Sequence, residues 1–263
     1  MSDEVKRDIW WATCVKAKLD KTIDIIQFQH YYLGSVISVK MKDGDNLINS
    51  EMRIIPASSN SSYLKWQFAE PPIKNPFKKI QKILKRHRIE KDMQQILSSF
   101  KDYTEKIENI YGFEIKNIQV RDTLLVVTKS ILNEFPTTSY VYDQIRRLRQ
   151  YISRQQAEER NFPMLYVQRT GEYHFEVTIG IPVNKFINGS QAIVMQRMIP
   201  GYILYAECAG GPSTIRKAFS EMENYMLDYQ KASPASPFEL LVTDRLKESD
   251  TLKWKTKLYY PIY

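Results

Sequence analysis

One arrangement occurs twice in the second half of the chain. A strand-like run "DTLLVVTKS" leads through a loop to a helical stretch "SYVYDQIRRLRQYISRQ", then to two more strand-like runs, "FPMLYV" and "YHFEVTIGIPV". The order returns as "GYILYAECAG", "TIRKAFSEMENYMLDYQ", "SPFELLV" and "KWKTKLYYPIY". From Thr123 to Pro182 is 59 residues, and from Tyr202 to Pro261 is again 59. Two copies of strand, helix and paired strands at one spacing predict a pseudo-twofold domain with a concave site where the modules meet. The segment "INGSQAIVMQRMIP" reads as the link between them.

The N-terminal third has a different texture. "WWATCVKAKL", "IDIIQFQHYYLGSVISVKM", "SEMRIIPAS" and "SYLKWQF" are rich in β-branched and aromatic residues and are punctuated by "DGDN" and "SSNSS". That pattern predicts a small antiparallel sheet. After "AEPPIKNP" the period changes: Ile89, Met93, Ile96, Leu97, Phe100, Tyr103 and Ile107 recur at three- and four-residue steps, the signature of an amphipathic helix lying across the sheet. The expected class is α+β, with one domain over 1–110 and a second over 111–263, the latter built of repeats at 111–187 and 188–263.

Composition limits what such a chain can do. The 263 residues and 43% hydrophobic content can fill two cores, and 38 basic against 30 acidic residues give a net charge of +8. That balance permits an anionic partner without demanding one. No run of eighteen apolar residues occurs and "MSDEVKRDIWW" lacks a signal-peptide core, so the reading is a cytoplasmic chain, membrane-anchored only through a segment upstream. Cys14 and Cys208 make neither a disulfide framework nor a metal site, and His30, His87 and His174 lack ligand spacing, so no cofactor or metal is expected. Phosphate-binding glycine loops and nucleophile elbows are absent. Sequons at Asn60 and Asn188 are short enough to occur by chance.

The second half resembles the GyrI-like (gyrase-inhibitor-like) small-molecule-binding domain, also known as the AraC-type effector-binding domain. The residues that carry the resemblance are "RMIP" at Arg197 to Pro200, "YILYAECAGGP", the helix that follows, "PFELL" and the terminal "YYPIY". More weakly, "SSYLKWQFAEPP" and the helix from about Arg88 to Asn109 are similar to the end of a START-like (polyketide cyclase-like, SRPBCC) domain, in which a curved sheet grips a long helix. The early strand and short helices of that superfamily are not recognisable, so this unit reads as shortened or degenerate.

The first resemblance implies a ligand site. In GyrI-like domains that bind lipophilic cations, a glutamate on the strand matching "PFELL" sits at the floor of an aromatic pocket, and the matching residue is Glu239. Tyr202, Tyr205, Trp254, Tyr260 and Tyr263 are the candidate walls. A carboxylate among aromatic rings suits a delocalised cation, which brings charge and apolar surface together. Aligning Pro163 with Pro237 sets Leu165 opposite Glu239, so one copy alone carries the acid. The other reading of Glu239 is a wetted strand face above an ordinary aromatic core.

Two alternatives accompany binding and sensing. Some family members are implicated in hydrolysing strained cyclopropane-type electrophiles, for which Glu239 would be the base and Glu207 a second acid. The segment "KNPFKKIQKILKRHRIEK", Lys74 to Lys91, carries eight Lys or Arg and one acid. On a helix it sets Phe77, Ile80, Ile83 and Leu84 beneath a basic face, a pattern suited to an anionic membrane surface or nucleic acid. GyrI-like domains commonly work beside a DNA-reading domain in transcription regulators. No credible recognition helix is visible, so such a role needs a DNA-binding or signalling partner.

Overall fold

The structure, a computed structural model, describes residues 10, 12, 25–32, 36–58, 61–69, 76–120, 123–198 and 200–263. It divides into two compact units, Met1–Lys106 and Ile107–Tyr263.

In the first unit, β1 (Ile25–Tyr32), β2 (Val36–Asp43), β3 (Asn46–Ser58) and β4 (Ser61–Phe68) form an antiparallel sheet in sequence order. The run expected as one strand from Ile23 is thus divided into β1 and β2. Asp43 pairs with Asn46 across a two-residue turn whose first residue, Gly44, has φ of 56°, a conformation that glycine adopts without strain. Alternation buries Val39, Met41, Met52 and Trp66 on one face. The Trp66 indole N–H donates to Ser50 Oγ at 2.9 Å, and Ser50 in turn donates to the Val39 carbonyl at 2.8 Å, so the polar atoms within this layer are paired. Helix α1 (Pro76–Thr104) begins about three turns before the periodicity did, with proline at its start. Ile89, Met93, Ile96 and Tyr103 are its buried stripe. Most of the strand expected over "WWATCVKAKL", with Cys14, lies outside the described residues; the two described, Trp10 and Ala12, are helical, not extended.

The second unit is an eight-stranded antiparallel sheet with helices. After the short α2 (Ile107–Tyr111) come β5 (Lys116–Val120), β6 (Thr123–Leu132), α3 (Thr138–Arg154), β7 (Met164–Arg169) and β8 (Phe175–Val183). There follow β9 (Val194–Met198), β10 (Gly201–Ala209), α4 (Pro212–Asp228), β11 (Phe238–Leu241) and β12 (Lys255–Ile262). Strand order across the sheet is β5-β10-β12-β11-β7-β8-β6-β9. The linker expected over 187–200 contains a strand, β9, at one edge of the sheet, and β5 forms the other. Thr137 caps α3 by accepting from the Tyr140 amide. Helices α3 and α4 are each 17 residues long, and each is followed by a glutamine in the left-handed region, Gln156 at φ 51° and Gln230 at φ 50°.

Period-two alternation gives the sheet two unlike faces. On one, Val126, Leu165, Ile179, Ile181 and Leu241 pack with Tyr142, Ile145 and Leu148 of α3. Leu204, Ala206, Cys208 and Leu258 pack on the same face with Ile215, Met222 and Tyr225 of α4. On the other, Leu125, Val127, Met164 and Leu240 are buried with Met198, Phe238 and Tyr259 against them, and no described helix residue joins this cluster.

Candidate functional site

Glu239 lies on the helix-bearing face, two residues before Leu241 and therefore on its side of β11. Its cross-strand neighbour on β7 is Leu165, the residue that the sequence repeat aligned with it. The thirteen residues between β11 and β12 then turn back over the strand. Asp244 stabilises that turn by accepting from the Leu246 amide at 3.1 Å, and Asp250 caps a single 3₁₀ turn at Thr251–Lys253. The excursion brings Arg245 onto Glu239.

The Arg245 guanidinium donates from Nη2 to Glu239 Oε2 at 2.8 Å and to Thr256 Oγ1 at 3.0 Å. It also lies 4.9 Å from the centroid of the Trp254 ring. Both partners are largely withdrawn from water, with side-chain exposures of 10% for Arg245 and 16% for Glu239. Trp254 is itself held by a 2.8 Å bond from its indole N–H to the Glu248 carbonyl. The Tyr142 hydroxyl, from α3, donates to the Thr243 carbonyl at 2.9 Å and accepts from the Arg245 amide at 2.8 Å. Burial pushes the Tyr142 hydroxyl above its usual range, against the opposing pull of Arg245. Nearby Cys208 is pushed up to about 11, first by burial and then by the Glu239 charge, so it is a poor nucleophile at neutral pH.

The expectation was a carboxylate awaiting a cation; in the structure Arg245 engages that carboxylate. The chemistry anticipated for Glu239 and Trp254, a delocalised cation held between a carboxylate and an aromatic ring, is present, and the chain supplies the cation itself as Arg245. Sequence reading missed Arg245 because nothing periodic marks it; its one signal is a basic residue close after the acid in a loop long enough to fold back.

The structure brings Glu239 and Trp254 together around Arg245, leaves Tyr202 and Tyr260 on the same side of the sheet as Glu239, and by alternation sends Tyr205 to the other. Tyr202 shares the helix side of β10 with Leu204 and is exposed. Tyr260 packs at the edge of the α4 cluster, its hydroxyl 3.5 Å from Glu223. Tyr263 is exposed, tied by its amide to the Ala232 carbonyl. Tyr205, three residues after Tyr202, faces the opposite side of the sheet.

There it joins an aromatic strip. Phe238 of β11 stacks on Tyr259 of β12 with centroids 5.2 Å apart and rings within 4° of parallel, and Tyr205 of β10 tilts against Tyr259 at 5.3 Å. Phe238 and Tyr259 are register partners, as are Tyr205 and Tyr259, so the three rings run across neighbouring strands. Glu207 stands at the end of the strip, hydrogen-bonded by the Tyr205 hydroxyl, with Lys257 Nζ at 3.5 Å. The Tyr205 hydroxyl, followed by Lys257, holds the Glu207 carboxyl below its ordinary value. Burial and the bond to Glu207 raise Tyr205 well above the usual tyrosine range. The Glu207–Lys257 pair is open to water, Glu207 by 61%, so the lysine neutralises it only weakly. Phe238 and Tyr259 were legible: alternation in "PFELL" and "KLYYPIY" places them opposite Glu239 and Tyr260.

Among the described residues no cluster of His, Cys, Asp and Glu has the makings of a metal site. No described helix is long and apolar enough to cross a membrane.

No model of a known family matches the sequence, and no curated protein matches it. Solved structures are similar to it. The crystal structure of the EcmrR C-terminal domain matches with a TM-score of 0.50 at 16% identity, over 57% of this chain and 98% of that one. EcmrR in a cryo-EM structure of its complex with DNA matches with a TM-score of 0.50 at 15% identity, over 67% of this chain and 71% of that one. Likeness at this identity concerns the fold alone.

Proposed function

We propose that the second unit binds an amphipathic aromatic small molecule on the face of its sheet that no described helix packs against, and that it serves to sense or sequester that molecule. Phe238, Tyr259 and Tyr205 would supply the stacking surface, and Glu207 the carboxylate at its edge. The observation that carries this reading is the stacked strip itself: three rings in contact on a face that no described helix packs against. An aromatic cation satisfies both features at once, gaining ring contact from the tyrosines and charge from Glu207. Glu239 then has a structural part, holding Arg245. A base for hydrolysis needs a carboxylate free to take a proton from water, and the engagement of Glu239 by Arg245 favours binding over that chemistry.

Three broader readings accompany this one. The strand order, the matched 17-residue helices and their two left-handed glutamines support a duplicated strand-helix-strand-strand module, with β7 and β11 meeting at its centre. The antiparallel meander followed by a long helix supports a shortened START-like first unit. That EcmrR is a DNA-bound protein supports a regulatory setting, in which a partner would read the DNA.

Equilibrium titration of the whole chain with crystal violet, a lipophilic triarylmethyl cation, tests the proposal. Saturable binding that Tyr259→Ala weakens by about tenfold or more is expected. Absence of saturable binding, or equal binding by the variant, would reject it.

A further inference from the structure

Helix α1 changes faces along its length. At about 100° per residue, the stripe it buries in its later turns (Ile89, Met93, Ile96 and Tyr103) points roughly 160° away from the stripe formed by Phe77, Ile80, Ile83 and Leu84 in its first turns. Three of its residues are open to solvent: Ile80 is 61% exposed, Ile83 58% and Leu84 60%. On the other side of the same turns, Lys85 reaches Asp43 at 2.7 Å and the Arg86 guanidinium lies 5.7 Å from the Phe68 ring. The polar side of these turns therefore meets the rest of its unit, and the apolar side faces outward, the reverse of an ordinary surface helix.

We propose that this outward stripe is a docking surface for an anionic lipid bilayer. Large apolar side chains in sequence over two helical turns form a patch suited to shallow insertion. The net charge of the sequence segment favours an anionic surface, since Lys74 to Lys91 holds eight Lys or Arg and one acid, although Lys85 and Arg86 turn toward the unit. Lys91 continues the direction of the stripe and Arg88 flanks it, and long basic side chains keep their charge at headgroup level while the stems cover apolar surface. Nucleic acid would use the charges and leave Ile80, Ile83 and Leu84 uncovered. A second copy would bring two strongly basic segments together, with like charges opposed. The bilayer is the occupant that satisfies both the apolar stripe and the charge.

The test is sedimentation of the full chain with phosphatidylcholine vesicles, with and without phosphatidylglycerol, at low and high salt. Ile80→Glu and Leu84→Glu are the informative variants because both side chains are exposed, and circular dichroism checks that the fold is kept. Expected results are binding to the phosphatidylglycerol vesicles alone, weakening with salt, and a loss of about tenfold or more in either variant. Three results would overturn the proposal. The first is no binding to phosphatidylglycerol vesicles at low salt. The second is vesicle binding that both variants leave unchanged. The third is self-association in sedimentation velocity that the same variants abolish, which would assign the stripe to a second copy.

Discussion

Arg245 reaches back six residues to hydrogen-bond Glu239 at 2.8 Å, and the pair is shielded from water by Trp254 and Thr256. A buried ion pair of this kind costs desolvation on both sides, so removing one member is worse than removing both. Glu239→Leu or Arg245→Met alone should destabilise the second unit by about 3 kcal/mol, because each leaves a partner stranded. The double variant Glu239→Leu with Arg245→Met should lie within about 1 kcal/mol of the original, since an apolar pair of similar size removes both desolvation costs. Leucine already stands at the aligned position, Leu165. Urea unfolding in a double-mutant cycle measures all four states. Additive losses would mean that the two residues are not coupled.

The Tyr142 hydroxyl ties α3 to the returning loop through the Thr243 carbonyl and the Arg245 amide. Tyr142→Phe keeps the ring packing and strands both backbone groups, which should cost about 2 kcal/mol. Amide hydrogen exchange gives a local readout. The Arg245 amide should lose protection in the variant, while β6 and β8 keep theirs.

Two glycines give contrasting expectations. Gly210 has φ of 143°, and a Cβ there would meet Thr214 at 2.5 Å from Oγ1 and 2.8 Å from Cβ. Gly201 has nothing within 4 Å of a built Cβ and no positive φ. Thermal unfolding should therefore show Gly210→Ala destabilised by more than about 1 kcal/mol and Gly201→Ala unchanged or slightly stabilised.

Alkaline pH should weaken the fold in a defined direction. Burial raises Tyr142, Tyr225 and Tyr259 from the ordinary value of 10.0, and Tyr111 is raised further by burial and by its 2.7 Å bond to Asp228. A raised folded-state pKa means that the unfolded chain gives up these protons first. The stabilisation is complete below pH 10 and is lost as pH climbs above it through the folded-state values. The urea midpoint should fall above pH 10, and Tyr111→Phe should make that fall less steep. Tyrosinate absorbance of the native protein should lag behind that of the urea-unfolded chain.

Much of the scaffold was readable because burial imposes a period. The central strands of the second unit bury residues on both faces and stood out as apolar runs, and α3 and α4 repeat their apolar positions every three or four residues. The edge strands β5 ("KNIQV") and β9 ("VMQRM") were missed because an edge is half solvated, which leaves a short and largely polar segment with little pattern. In the first unit, the early turns of α1 read as a separate basic helical segment, because their apolar side faces away from the stripe that revealed the rest. At the candidate site the sequence singled out Glu239 and Trp254 but not Arg245, because the turn that carries Arg245 onto Glu239 depends on a loop whose path no local pattern fixes. Grouping Tyr202 with Tyr205 ignored their odd spacing, which sends them to opposite faces.

The most direct measurement compares two carboxylates in one assay: equilibrium binding of crystal violet to Glu207→Gln and to Glu239→Gln, each corrected for its folded fraction. The account predicts that Glu207→Gln weakens binding by about tenfold while Glu239→Gln stays within about twofold of the original chain. Loss of binding in Glu239→Gln with Glu207→Gln unaffected would contradict it, and would place the ligand on the helix-bearing face.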